Sequence, residues 1–151
     1  MFKVLSNDRM IDGQSIYRSN EHSFDFLPVQ SGDTSLLIGY LQIMVDSETR
    51  LVKQIWGLHP KTTWSQSALS LPKSRRGELL VTTDVKAGND VRIVEEGEWA
   101  TTYDNALGWI CIGDYSKGPL DEAVEFANGV IAVVNRSNLK AIWIHPVFVD
   151  E

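Results

Sequence analysis

Apolar residues along this chain fall in short runs and alternations, separated by clusters of Gly, Asn, Asp and Ser. That rhythm predicts strands and turns. The first strong run covers 36–45, Asp46-Ser-Glu-Thr-Arg50 reads as a turn, and 51–58 returns as a second strand. Further strands are expected at 78–83 and 91–95, either side of the turn Lys86-Ala-Gly-Asn-Asp90, and at 98–103 and 107–112. Between them, 61–77 carries serines, Pro72 and a basic run, with at most a short helix over Trp64-Ser-Gln-Ser-Ala-Leu69. The first 35 or so residues are less regular. There, Leu27-Pro28-Val29 and Gln30-Ser31-Gly32-Asp33-Thr34 read as a loop ahead of the first strong strand, and Tyr115-Ser-Lys-Gly-Pro119 as an open loop later on.

Residues 120–127 can be read two ways. Pro119 followed by Asp121 and Glu122 suits the first turn of a helix, where proline and acids are favoured. Yet Ala-Val-Glu-Phe-Ala runs into Asn128-Gly129, a strong signal for a tight hairpin. The strand is the expectation. The fold class that follows is mostly β, or alternatively α+β, in one domain spanning 1–151. Its main element would be a mainly antiparallel sheet, sandwich or half-barrel with one or two short helices.

Two segments resemble each other, 36–60 and 120–146. Val52-Lys-Gln-Ile-Trp56 matches Leu139-Lys-Ala-Ile-Trp143 position by position, and both run into a His-Pro pair, His59-Pro60 and His145-Pro146. Upstream, Leu41-Gln-Ile-Met-Val-Asp46 faces Val130-Ile-Ala-Val-Val-Asn135. Each copy reads as strand, turn, strand and a proline stop, because proline lacks the N–H that a ladder needs. Alternation places Ala141 and Trp143 on one face and Lys140, Ile142 and Ile144 on the other. Both faces are largely apolar, as in a strand inside a packed sheet.

Composition narrows the function classes. With 14 Lys and Arg against 20 Asp and Glu, the formal charge is -6. That disfavours a phosphate-backbone binder, so no nucleic-acid partner is expected. The one basic cluster, Lys73-Ser74-Arg75-Arg76 beside Lys61, reads as a solvated loop. An acidic surface suits a basic protein partner, since complementary fields speed encounter. The single cysteine, Cys111, lies between two isoleucines and reads as a small buried hydrophobe. No apolar run approaches the ~20 residues of a membrane helix, and the amino terminus turns polar too soon for a signal peptide. A cytoplasmic location without membrane contact is the expectation.

The usual catalytic patterns are not legible. His22, His59 and His145 carry no metal-ligand spacing, and no serine sits in a nucleophile elbow. No metal or cofactor is expected, and enzymatic activity is disfavoured. What remains is aromatic. Of the five tryptophans, Trp56, Trp109 and Trp143 fall in apolar strands and are expected in the core, whereas Trp64 and Trp99 have polar neighbours.

Three functions follow from different classes. The leading one is a protein-binding domain of immunity or antitoxin type that inhibits a basic partner. Its patch would be Glu95, Glu96, Glu98, Trp99, Tyr103 and Asp104, where acids and aromatics interleave. The second is a ligand-binding domain or enzyme with His59, Trp64 and His145 at a pocket mouth. The third is an assembly subunit, in which exposed edges or Trp surfaces form a homodimer.

Overall fold

The computed structural model describes residues 1–150. In chain order the strands are β1 (Phe2–Ser6), β2 (Gln14–Arg18), β3 (Ser23–Leu27), β4 (Thr34–Ile38), β5 (Leu41–Val45), β6 (Val52–Leu58), β7 (Ser65–Gln66), β8 (Arg75–Val81), β9 (Val91–Val94), β10 (Thr101–Asp104), β11 (Trp109–Gly113), β12 (Asp121–Ala127), β13 (Val130–Asn135), β14 (Asn138–Ile144) and β15 (Val147–Val149). A single 3₁₀ turn, Lys61–Thr63, is the helical element among the described residues. The protein is therefore nearly all β, and 120–127 is the expected strand: Val124 and Phe126 point inward in alternation before the Asn128-Gly129 turn.

The strands form two sheets, ordered β1-β8-β12-β13-β14-β11-β10-β7 and β15-β2-β3-β6-β5-β4-β9. Neighbours are antiparallel except in four pairs: β7 with β10, β8 with β12, β9 with β4, and β15 with β2. Both sheets share one plan. The hairpin β2–β3 and the meander β4–β6 lie in the order 2-3-6-5-4, while β10–β11 and β12–β14 lie in the order 10-11-14-13-12. After each meander the chain crosses to the opposite sheet, where β7 flanks β10 and β15 flanks β2.

Register makes the correspondence specific. Gln42 faces Trp56 as Ile131 faces Trp143. Tyr17 faces Phe24, and Phe24 faces Gly57; likewise Tyr103 faces Ile110, and Ile110 faces Ile144. The two segments matched in sequence thus occupy equivalent places, Trp56 answering to Trp143 and Tyr17 to Tyr103.

Alternation decides what lies between the sheets. Leu36, Ile38, Leu41, Ile43, Val45 and Ile55 of the seven-stranded sheet share a core with Ile110, Ile112, Val130, Ala132, Ile142 and Ile144 of the eight-stranded one. Burial of each such side chain contributes about 1.5–3 kcal/mol. The other face of the eight-stranded sheet is also dry. Cys111, Ile131, Val133, Ala141 and Trp143 are buried there beneath Leu69 and Leu71. These two leucines belong to a strap that follows β7. Leu69 N donates to Asp104 Oδ2 (2.8 Å), while Lys117 Nζ donates to Ser70 Oγ (2.9 Å) and to Leu71 O (3.0 Å). Lys140, placed by alternation with Ile142 and Ile144, instead pairs with Asp121 at 2.7 Å. Burial alone would raise the Asp121 pKa, but Lys140, Asn135 and the Gly118 N–H together hold it below the ordinary carboxylate value.

Several expectations need correction. The irregular first 35 residues carry three strands, β1 to β3. The run at 36–45 is two strands, because Gly39 adopts φ 58° and turns the chain with Tyr40 at the corner. Trp64-Ser-Gln-Ser-Ala-Leu69 is extended, with the 3₁₀ turn falling just before it. Arg75 and Arg76 are exposed but open β8 rather than lying in a loop, pairing parallel to Val124 and Glu125.

Candidate functional site

The end of β6, the Gly39-Tyr40 turn and the connection from β9 to β10 enclose a cleft of about 280 Å³. His59 and Thr101 form part of its wall, Tyr40, Leu58 and Trp99 supply apolar surface, and Glu95 and Glu96 are exposed on it. The β-prone run through Leu58 stops at Pro60, which leaves His59 just past the ladder. Its backbone is held on both sides: His59 N donates to His22 O (2.7 Å), and Tyr17 OH donates to His59 O (2.8 Å). The ring Nε2 lies 2.7 Å from Thr101 Oγ1.

Burial pushes the His59 pKa down to about 4, because the charged ring would lose its water. At neutral pH the imidazole is therefore uncharged, and neither Glu95 nor Glu96 makes an ion pair among the described residues. The nearby guanidinium of Arg92 is turned to the chain's own groups, lying 5.7 Å from the Tyr40 ring while Nε donates to Gly39 O (3.1 Å). Glu98 is exposed too, but it also stitches the turn: its Oε1 accepts from Glu95 N (3.1 Å) and its own N–H donates to Glu95 O (3.0 Å). The His59–Thr101 contact has the length of a base–hydroxyl pair. No carboxylate orients Nδ1 among the described hydrogen bonds, so the geometry is that of a partly buried hydrogen bond and lacks the third group of a triad.

The six residues expected to form one acidic–aromatic patch divide between two environments. Glu95, Glu96, Glu98 and the half-buried Trp99 stay together at the surface. Tyr103 and Asp104 are buried, 8% and 6% exposed. Alternation along β10 turns Tyr103 into the core, while Asp104 faces outward beneath the strap. There Asp104 accepts backbone N–H groups from Leu69, Ala106 and Leu107, and the Leu69 bond is the largest cause of its lowered pKa.

His59, Trp64 and His145 do not meet at one mouth. Trp64 lies inside an aromatic cluster, 4.9 Å from Tyr17, 5.9 Å from Phe24 and 6.0 Å from His59. His145 is exposed and stacks on Trp109 at 5.0 Å. His59 contacts Thr101 at one end of the β10–β11 hairpin, whereas Trp109 stands at the other, opposite Asp104. One inserted residue also turns the two rings to different faces. Gly57 occupies the place of Ile144, so Leu58 answers to His145 and His59 lies one position further on. A one-residue slip reverses a side chain's face. Among the described residues, no three His, Cys, Asp or Glu side chains gather as metal ligands would.

Tyr40, Leu58 and Thr101 are among the cleft residues that escaped the sequence reading. Only Tyr40 has a signal, since Gly39 inside an apolar run marks a turn that exposes its neighbour. Cys111 is fully buried, and burial pushes its thiol up to about 12, in line with a small core residue. No described helix is long and apolar enough to cross a membrane. No family model matches this chain, and no curated protein is significantly similar to it.

Proposed function

We propose that the chain is a non-catalytic binding domain that takes a basic side chain of a partner protein into the Glu95–Glu96–Trp99 cleft. The observation carrying this reading is a pair of exposed carboxylates without ion-pair partners among the described residues, beside the Trp99 ring and a Tyr40 ring that already faces Arg92, over a neutral His59. A guanidinium or ammonium gains from carboxylates and from the face of an aromatic ring together. The exposed Tyr40 and Leu58 beside it, 51% and 44% accessible, are the kind of apolar surface that anchors an interface. The net charge of -6 steers such a partner from a distance. An immunity- or antitoxin-like inhibitor acting in the cytoplasm is the class that this chemistry suits best.

A second reading keeps the same cleft but fills it with a free small cation. Its volume of about 280 Å³ lies near the lower bound of ligand pockets, roughly 300 Å³, and favours an amino-acid-sized group in either case. The first test is an NMR titration with acetyl-arginine amide that follows the Trp99 indole signal. A saturable shift is expected, lost in Glu95→Gln/Glu96→Gln and absent with uncharged acetyl-norleucine amide. Equal shifts from both probes, or none from the charged one, would remove the basis of the proposal.

A further inference from the structure

The plan that appears twice has two equivalent ends, and they are finished differently. Ile38 pairs in parallel with Val94 at the cleft, and Ala127 pairs in parallel with Ile11 at its counterpart. The same hydrogen bond follows in each: Gly39 N donates to Val94 O, and Asn128 N donates to Ile11 O, both at 2.8 Å. Val94 therefore answers to Ile11. A little further along, Thr101 faces Ile112 as Ser15 faces Phe26, so Trp99 answers to Gly13. Between these fixed points one half has the single residue Asp12, whereas the other has four, Glu95-Glu96-Gly97-Glu98. The side chains diverge in the same sense. Trp99 stands where the other half has Gly13, and Tyr40 stands where it has Gly129. Both aromatic rings of the cleft thus correspond to glycine.

The counterpart end closes on itself. Asn128 Nδ2 donates to Gly13 O (2.8 Å), and a Cβ on Gly13 would lie 2.6 Å from Leu27 O and from the Phe26 ring. At the cleft Gly113 takes the place of Leu27, and the Trp99 ring lies over it, 3.1 Å from where a Cβ would stand. One end packs bulky side chains on a glycine, and the other packs a tryptophan on a glycine. An end that closes with Asp12-Gly13 requires neither the longer loop nor the two rings. Loops that vary on a fixed scaffold are where binding residues concentrate. We infer that residues 95–99, together with the Tyr40 ring, form a recognition element added to one end of the shared plan. The chain accordingly takes up a basic group at that end and none at its counterpart. What the element recognises rests on the cleft reading above; its being an addition rests on register and packing alone.

The test replaces residues 95–99 by the Asp-Gly pair found at 12–13 and titrates acetyl-arginine amide into isotopically labelled wild-type and shortened chains. The shortened chain should melt lower, because Trp99 packs on the core, but keep the Trp56 and Trp143 indole signals at their wild-type positions. In wild type the probe should move the amide signals of Gly39 and Thr101 saturably and leave those of Gly13 and Gly129 fixed. In the shortened chain the shifts at Gly39 and Thr101 should vanish. Tyr40→Ala, at an exposed ring, should fold as wild type and weaken binding about threefold, the scale of one exposed cation–π contact. A shortened chain that loses its dispersed spectrum would overturn the inference, since the loop would then belong to the scaffold. Probe shifts that survive the shortening, or that arise equally at Gly13 and Gly129, would overturn it too. A wild type blind to the probe, beside a shortened chain that folds, would instead remove the cleft reading and its basic ligand while upholding the loop as an addition.

Discussion

His59 is the residue whose chemistry the fold changes most. Its ring is neutral in the folded chain down to about pH 4, whereas an unfolded histidine protonates near the ordinary 6.5. Between those values the unfolded chain binds the extra proton, so stability falls as pH falls through this window and is fully present above it. The loss is at most on the order of 3 kcal/mol, taking about 1.4 kcal/mol per pH unit. Urea melts at pH 7 and pH 5 should show wild type losing stability, with His59→Gln losing measurably less. Equal losses in the two proteins would mean that His59 is not desolvated as the structure indicates. Thr101 fits the same account, since its buried hydroxyl supplies the one described hydrogen bond of the half-buried ring.

At the scale of elements, the meander and its strap set the stability of the eight-stranded half. Trp143→Ala should cost about 3–5 kcal/mol, because it empties a site that the strap closes. Trp56→Ala at the equivalent place should cost about half of that or less, since part of the ring already faces solvent. Chemical denaturation of both variants checks the difference, and equal costs would contradict the unequal sealing of the two faces. The elements legible in the sequence are those whose pattern owes little to distant partners. Both copies of the Trp-bearing hairpin end at proline, the second is apolar on two faces, and 120–127 alternates into a tight turn. The elements that escape are those whose inward positions are polar or whose turns sit inside apolar runs. In β2, Ser15 points inward at 2% exposure beside Tyr17, which blurs the alternation. At 36–45 the apolar run conceals the Gly39-Tyr40 corner. The strap is the hardest to read, because Leu69 and Leu71 gain meaning only from the sheet they cover.

For the whole molecule, the same six-strand plan appears twice, in β2–β7 and β10–β15, and each copy lends its last short strand to the other's sheet. The exchange ties the two halves into one core and places the end of β6 against the start of β10, where the cleft forms. The acidic segment at 95–99 is legible in the sequence, but its companions are not. Tyr103 and Asp104 lie next to it along the chain yet turn inward and beneath the strap, while Tyr40, Leu58 and His59 arrive from across the fold. An acidic cleft with aromatic walls, beside an apolar ridge, is the feature on which the proposed role depends.

The most direct test of that role is affinity capture from lysate of the source cell. Wild type is compared with Glu95→Gln/Glu96→Gln/Trp99→Ala and with His145→Ala, each at low and moderate salt. The account predicts one basic protein retained by wild type and by His145→Ala, weakened by added salt and lost with the triple variant, which melts lower because Trp99 packs on the core but keeps the wild-type circular dichroism at the capture temperature. A partner held equally by the folded triple variant, or one indifferent to salt, would contradict the cleft as the binding site.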